Sequence, residues 1–141
     1  MEGFRLVSEV PMRFADTDAM GHVNNARYLS FLECARIDYL RRVLGRTEPR
    51  EFGVIIARTE IDYKSPAFHY ETLLVGCRVD GVGESSLSMS HRVEEKSSGR
   101  LIALAKAVLV GYDYAAQKTC RISEEWREKI ATFEGGMPDP T

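Results

Sequence analysis

Residues 14–36 read FADTDAMGHVNNARYLSFLECAR, and the reading of the fold turns on how this stretch divides. Its first half gathers Asp16, Asp18, His22, Asn24 and Asn25 around Gly21, a residue that accepts backbone conformations other side chains resist. Its second half opens a run with no Gly or Pro before Gly45, in which Tyr28, Leu29, Phe31, Leu32, Ala35, Ile37, Tyr39, Leu40, Val43 and Leu44 cover more than one face. That spacing predicts a long helix over Asn25 to Leu44, apolar enough to need covering on most sides. Asn24 or Asn25 suits the cap of its first turn, where unpaired backbone N–H groups and the helix dipole face the carboxylates of the loop. The chemistry belongs at this junction.

The chain then turns to strands. From Arg58 to Lys64, polar Arg58, Glu60, Asp62 and Lys64 alternate with Thr59, Ile61 and Tyr63, and Pro66 ends the run. Thr72 to Asp80, Ser86 to Glu94 and Leu101 to Tyr112 follow at hairpin spacing, divided by Gly81-Val82-Gly83-Glu84 and Ser97-Ser98-Gly99. Phe4 to Arg13 supplies a first strand. Ser123-Glu124-Glu125 opens a short helix to about Ala131, with a capping hydroxyl and two acids suited to the dipole. One long helix beside an antiparallel sheet of about five strands is an α+β arrangement, and curving the sheet around the helix is an economical way to bury it. Residues 1–134 read as one domain, and residues 135–141 as a flexible tail.

Composition narrows the class of function. With 141 residues, 44% hydrophobic and 28% charged, the chain can bury a core without disulfide or metal staples. A net charge of −2 argues against a nucleic-acid footprint. Cys34, Cys77 and Cys120 are odd in number and widely spaced, and neither a signal peptide nor an apolar run of membrane length is present, so the expectation is a cytoplasmic protein with reduced thiols, away from membranes. Cys34, in mid-helix, reads as a buried structural thiol. His22, His69 and His91 with the two aspartates lack the spacing of a metal site, and His91, in phase with Leu87, Met89 and Val93, reads as a hydrogen-bonded core histidine.

The run Asp16-Thr17-Asp18-Ala19-Met20-Gly21-His22-Val23-Asn24-Asn25, followed by Arg27, Tyr28 and Phe31-Leu32-Glu33-Cys34-Ala35-Arg36, resembles the signature of the hot-dog-fold acyl-CoA thioesterases, in the branch that includes 4-hydroxybenzoyl-CoA thioesterase. Ile61-Asp62-Tyr63-Lys64-Ser65-Pro66-Ala67 is similar to the strand end that follows the helix in that family. The resemblance implies a hot-dog fold and hydrolysis of an acyl-CoA thioester to a carboxylic acid and coenzyme A, without cofactor or metal. It puts Asp18 at the position of the catalytic carboxylate, as general base or as nucleophile, and the backbone N–H near Asn25 where the thioester carbonyl is polarised. His-Val-Asn-Asn is also the loop version of the plant acyl-carrier-protein thioesterases, in which the histidine belongs to the site. Those enzymes carry Asn at the position of Met20, so their triad does not transfer. The resemblance further implies a homodimer or homotetramer with the site at the subunit interface, where residues from Arg58 to Pro66 complete the partner's pocket.

Bland readings stand beside these. An Asp-x-Asp pair is most often a turn, and Asp16 reads as structural, holding the loop through backbone hydrogen bonds. His22 divides evenly between holding the loop and orienting water or substrate. Asn24 and Asn25 are first of all caps, with their amides near substrate. Tyr28, Phe31 and Leu32 are expected along the acyl chain, and Lys64 and Arg92 at the coenzyme A phosphates. Two other functions compete: a hydratase of acyl thioesters, whose Asp and His stand about five residues apart in a different loop, and a non-catalytic acyl-CoA sensor or scaffold. Asp18 precedes His22 by four positions and Asp16 precedes it by six, which disfavours the hydratase.

Overall fold

In the computed structural model, which describes residues 1–48, 51 and 53–140, the chain forms β1 (Leu6–Pro11), a 3-10 turn (Phe14–Asp16), α1 (Arg27–Arg42), β2 (Val54–Tyr63), β3 (Thr72–Val82), β4 (Ser86–Glu95), β5 (Leu101–Asp113), β6 (Lys118–Thr119) and α2 (Glu124–Glu134). The main strands are ordered β1-β3-β4-β5-β2, all antiparallel, with the two-residue β6 on β5. This is the hot-dog arrangement of one long helix on an antiparallel sheet.

Period-two burial selects the helix side of the sheet. Leu73, Val75, Cys77 and Val79 on β3, Leu87, Met89, His91 and Val93 on β4, and Ala103, Ala105, Ala107 and Leu109 on β5 are all buried. Tyr28, Phe31, Leu32, Ala35, Tyr39 and Leu40 of α1 close over them. The row of alanines on β5 leaves little bulk beneath the far flank of the helix, and α1 makes its main sheet contacts with β3 and β1. The helix is therefore covered on one side. Leu29, Ser30, Glu33 and Cys34 are exposed, which corrects the expectation of a helix covered nearly all round and of a buried Cys34.

Strand and helix limits differ from the sequence reading where alternation failed. β2 begins at Val54, because Val54-Ile55-Ile56 is continuously apolar and a register shift between Ile56 and Arg58 restores alternation only afterwards. It is an edge strand, exposed over most of its length, with Ile55, Ile56 and Tyr63 open to solvent. α2 is capped as expected, the Ser123 hydroxyl accepting the Trp126 N–H, but it runs to Glu134 before Gly135 turns left-handed at φ 83°. Beyond it the chain returns to β3, where the Val82 N–H donates to the Asp139 carbonyl (2.8 Å). Thr141, the last residue of the expected tail, lies outside the described residues.

Candidate functional site

The loop before α1 is a small hairpin tied at three levels. At its base the Asn24 N–H donates to the Asp16 carbonyl (2.7 Å), above that Thr17 bridges Val23, and at the tip the Asp18 N–H donates to the His22 carbonyl (2.8 Å). Gly21 makes the reversal possible at φ 80°, donating to the Asp18 carbonyl (3.1 Å). A second loop, 64–71, backs the first: the Val23 N–H donates to the Ala67 carbonyl (2.8 Å) and His22 bridges Phe68. Glu71 holds that second loop by accepting the Phe68 N–H and both close contacts of the Arg100 guanidinium (2.8 and 2.9 Å).

The two aspartates have different surroundings. Asp16 is buried, accepts the Arg13 N–H (3.0 Å), and pairs with the Arg13 guanidinium (3.0 Å) and, more distantly, with Arg27 (3.8 Å). The Arg13 hydrogen bond, outweighing the cost of burial, holds its carboxyl below the ordinary value of 3.8. Because the folded-state value is depressed, the stabilisation is present above the unfolded value and is lost as pH falls through the folded one. Asp16→Asn is expected to cost about 1–2 kcal/mol at neutral pH, and the gap in melting temperature from the wild type should shrink in acid below the ordinary carboxylate range. A gap constant down to the most acid conditions would remove the ionic role.

Asp18 is exposed. Its Oδ1 accepts the Met20 N–H (2.8 Å) and the His22 N–H (3.3 Å), while Oδ2 has no bonded partner among the described residues. One oxygen anchors the carboxylate and the other is free for chemistry.

α1 begins two residues later than the sequence suggested. Ala26 is the formal N-cap and offers no side-chain bond, but a tight turn precedes it: Asn24 Oδ1 accepts the Ala26 N–H (2.9 Å) and the Asn24 carbonyl accepts the Arg27 N–H (2.9 Å). Asn24 thus serves as the cap, one turn early. The Asn25 N–H has no acceptor among the described residues, whereas its carbonyl accepts the Tyr63 hydroxyl (3.0 Å), tying the end of β2 to the helix start. Free carboxylate oxygen and free N–H donor lie on either side of one short hairpin.

Aromatic rings line its underside. His22 packs edge-on against Phe68 (5.4 Å between centroids), and Tyr28 packs against Tyr63 (5.2 Å) and Phe31 (5.7 Å). The Tyr28 hydroxyl is pushed up to about 12 by burial, then by Tyr63 and Glu71, and stays protonated at neutral pH. His22, half-buried, makes no side-chain hydrogen bond among the described residues.

Asp18, His22, Asn24 and Asn25 therefore share one hairpin, and the buried Tyr28 ring meets it through Tyr63, whose hydroxyl bonds the Asn25 carbonyl. Phe31 and Leu32 are buried against the sheet, Leu32 to 1% exposure, so they shape the core rather than an open groove. Lys64 is exposed just past β2, and Arg92 lies on the opposite face of the sheet beside Glu94 (3.4 Å), lining an outer cavity of about 870 Å³ with Phe4, Arg78 and Lys106. Neither cation joins the loop within this chain. Sequence reasoning did not single out Phe68 or the Glu71–Arg100 pair, whose only signal was a second polar and aromatic segment after Pro66.

The family model described as the thioesterase-like superfamily matches residues 12–130. A thioesterase from Thermus thermophilus, solved with coenzyme A and Zn, is 38% identical, with a TM-score of 0.85, 96% of this chain and 98% of that one being covered. The long-chain acyl-CoA thioesterase FadM of Escherichia coli (strain K12) is 28% identical over 125 residues, 87% of this chain and 95% of that protein. The acyl-CoA thioesterase YbgC of Haemophilus influenzae is 34% identical over 89 residues, 60% of this chain and 65% of that protein.

Proposed function

The chain belongs to the thioesterase-like superfamily, and on that premise we propose that it hydrolyses acyl-CoA thioesters with Asp18 as the reacting carboxylate. The single observation that carries the reading is the disposition of Asp18: Oδ1 is held by two backbone N–H groups of its own hairpin, and Oδ2 is left unbonded on the same hairpin that ends in the unpaired Asn25 N–H.

A thioester needs an activated nucleophile and a place for the oxyanion, since the thiolate leaves readily. Asp18 Oδ2 takes a proton from water as its oxygen attacks the acyl carbon, or attacks that carbon itself to give a mixed anhydride that water then opens. In either course the carbonyl oxygen becomes negative while the Asn25 N–H, at the positive end of α1, donates to it. The carbon–sulfur bond breaks, and coenzyme A leaves as thiolate. His22 and Asn24 keep the hairpin in register with the helix. A non-catalytic acyl-CoA sensor is the second reading, since a binder could keep the same capped helix.

The working unit in this proposal is a homodimer joined through β2, or a tetramer made of two such dimers. This strand is a sheet edge whose outer backbone is unpaired among the described residues, and Ile55, Ile56 and Tyr63 on it, like Leu29 on α1, are exposed apolar side chains. The partner's β2 end, around Lys64, then lies at the coenzyme A side of the pocket.

The test is thiol release from short, long and aromatic acyl-CoAs by the purified protein, with binding measured in parallel. Turnover on at least one class is expected. Binding without turnover on every class would transfer the protein to the sensor reading.

A further inference from the structure

Arg36 is a buried charge that this mechanism does not use. It is 9% exposed, makes no hydrogen bond and no ion pair among the described residues, and its Nη1 is fully enclosed without a partner. Next to it stand Cys77 on β3 and His91 on β4, paired across the strands, and the buried ring of His91 has no side-chain partner, only the Gly76 backbone beside it. Neither supplies negative charge. Burial pushes the Cys77 thiol up, and burial with the Arg36 charge pushes His91 down to about 3, so both are neutral where the protein works. Glu33 is exposed and outside ion-pairing distance. A guanidinium with one nitrogen enclosed and no carboxylate beside it is costly for a fold to keep.

Arg36 also lines a groove of about 340 Å³ on the uncovered flank of α1, between the helix and the β5–β2 side of the sheet. The rest of the wall is almost wholly apolar: Ile37, Leu40, Ile56, Leu109 and the Tyr114 ring, with Glu33 at the side. An alkyl chain fits such a wall, but nothing in an alkyl chain answers Arg36. We propose that this groove receives the acyl group and that Arg36 receives a carboxylate at its far end, so that the preferred substrates are ω-carboxyacyl thioesters. This rests on the thioesterase reading and names its substrate class. Water then adds to the thioester carbon, the carbon–sulfur bond breaks, and the products are a dicarboxylate and a thiol.

Helix geometry sets the length. Arg36 follows Asn25 by eleven residues, about 16 Å along the axis, the reach of an extended chain of roughly a dozen carbons. Exposed Leu29 lies on the same flank between the two ends. A shorter diacid would leave its carboxylate in the apolar stretch, and a longer one would have to fold.

The test compares thiol release from decanoyl-, dodecanoyl- and tetradecanoyl-CoA with their ω-carboxy counterparts, in the wild type and in Arg36→Met, with calorimetric titration of free dodecanedioate and dodecanoate. Methionine replaces an unpaired buried charge with an apolar chain of similar length, so the variant should fold, and Arg36→Lys keeps the charge on a shorter reach. In the wild type, kcat/KM at the fitting length should favour the ω-carboxy substrate by about 10- to 100-fold. Arg36→Met should erase that ratio, and Arg36→Lys should retain part of it. Equal rates for the two series at every length, or a preference that survives Arg36→Met, would overturn the inference while leaving the hydrolase intact. So would an unchanged substrate ratio with an altered oligomeric state, which would assign Arg36 to a subunit contact. If no thioester is cleaved, the hydrolase reading fails, and the titration decides the pocket: dodecanedioate binding lost in Arg36→Met supports it, and no binding overturns it.

Discussion

Asp18→Asn is expected to lower kcat for acyl-CoA hydrolysis by about 10²- to 10⁴-fold, with substrate affinity changed only a few-fold. The asparagine separates chemistry from structure unusually well at this position. Its Oδ1 can still accept the Met20 and His22 N–H groups, the two bonds that Asp18 Oδ1 makes, so the hairpin keeps its shape. What it loses is the charge and basicity at the second oxygen, which is free of partners among the described residues. The melting temperature should therefore barely move, in contrast to Asp16→Asn, where an ion pair and a buried carboxylate are at stake. Single turnover in water enriched in oxygen-18 tests the covalent route: label appearing in the Asp18 carboxylate marks an anhydride opened at the Asp18 carbon, and label confined to the released acid leaves direct attack by water or an anhydride opened at the acyl carbon. Near-wild-type turnover by Asp18→Asn would remove this carboxylate from the mechanism.

The sequence made the junction between loop and helix legible because that junction is local. The hairpin lies within ten residues, its Gly21 takes the left-handed backbone that glycine suggests, and Asn24 caps the turn it precedes. Strand register on β3, β4 and β5 was legible for a similar reason, since alternation maps directly onto burial, and His91 falls on the core face in phase with Leu87, Met89 and Val93. His91 makes no side-chain hydrogen bond, because across the strand stands Cys77 and from the helix another donor, Arg36, which leaves the Gly76 backbone as the polar group set against its ring. What failed was inference from composition about which helix faces are covered. Cys34 and Leu29 look like core residues in sequence, yet both are exposed on α1, on faces of the helix that the sheet of this chain does not cover. The contribution of loop 64–71 was hidden too: Phe68 reaches His22, and Glu71 reaches Arg100, only after β5 has been laid between β4 and β2.

That open side leads to the second large effect. Leu29→Glu combined with Ile56→Glu is expected to yield a folded monomer whose kcat/KM is lower by about 10²-fold or more. Leu29 is 50% exposed and Ile56 48% exposed in the single chain, so neither change creates a cavity or buries a charge within the protomer, and the cost to its own stability should be small. Both changes put carboxylates on the border proposed to meet a second copy, where a charge without a partner opposes association. Activity should fall with the dimer, although neither residue belongs to the hairpin, because Asp18 and the Asn25 N–H stand exposed in one protomer and lack the wall that excludes water from an oxyanion. Sedimentation and thiol release on the same sample decide the matter. A monomer with full activity would place the whole site within one chain, and a variant that remains dimeric would move the interface away from β2. Because Ile56 also lines the groove at Arg36, the loss of activity is assigned to the missing partner only where it recurs on an acyl-CoA too short to reach that groove.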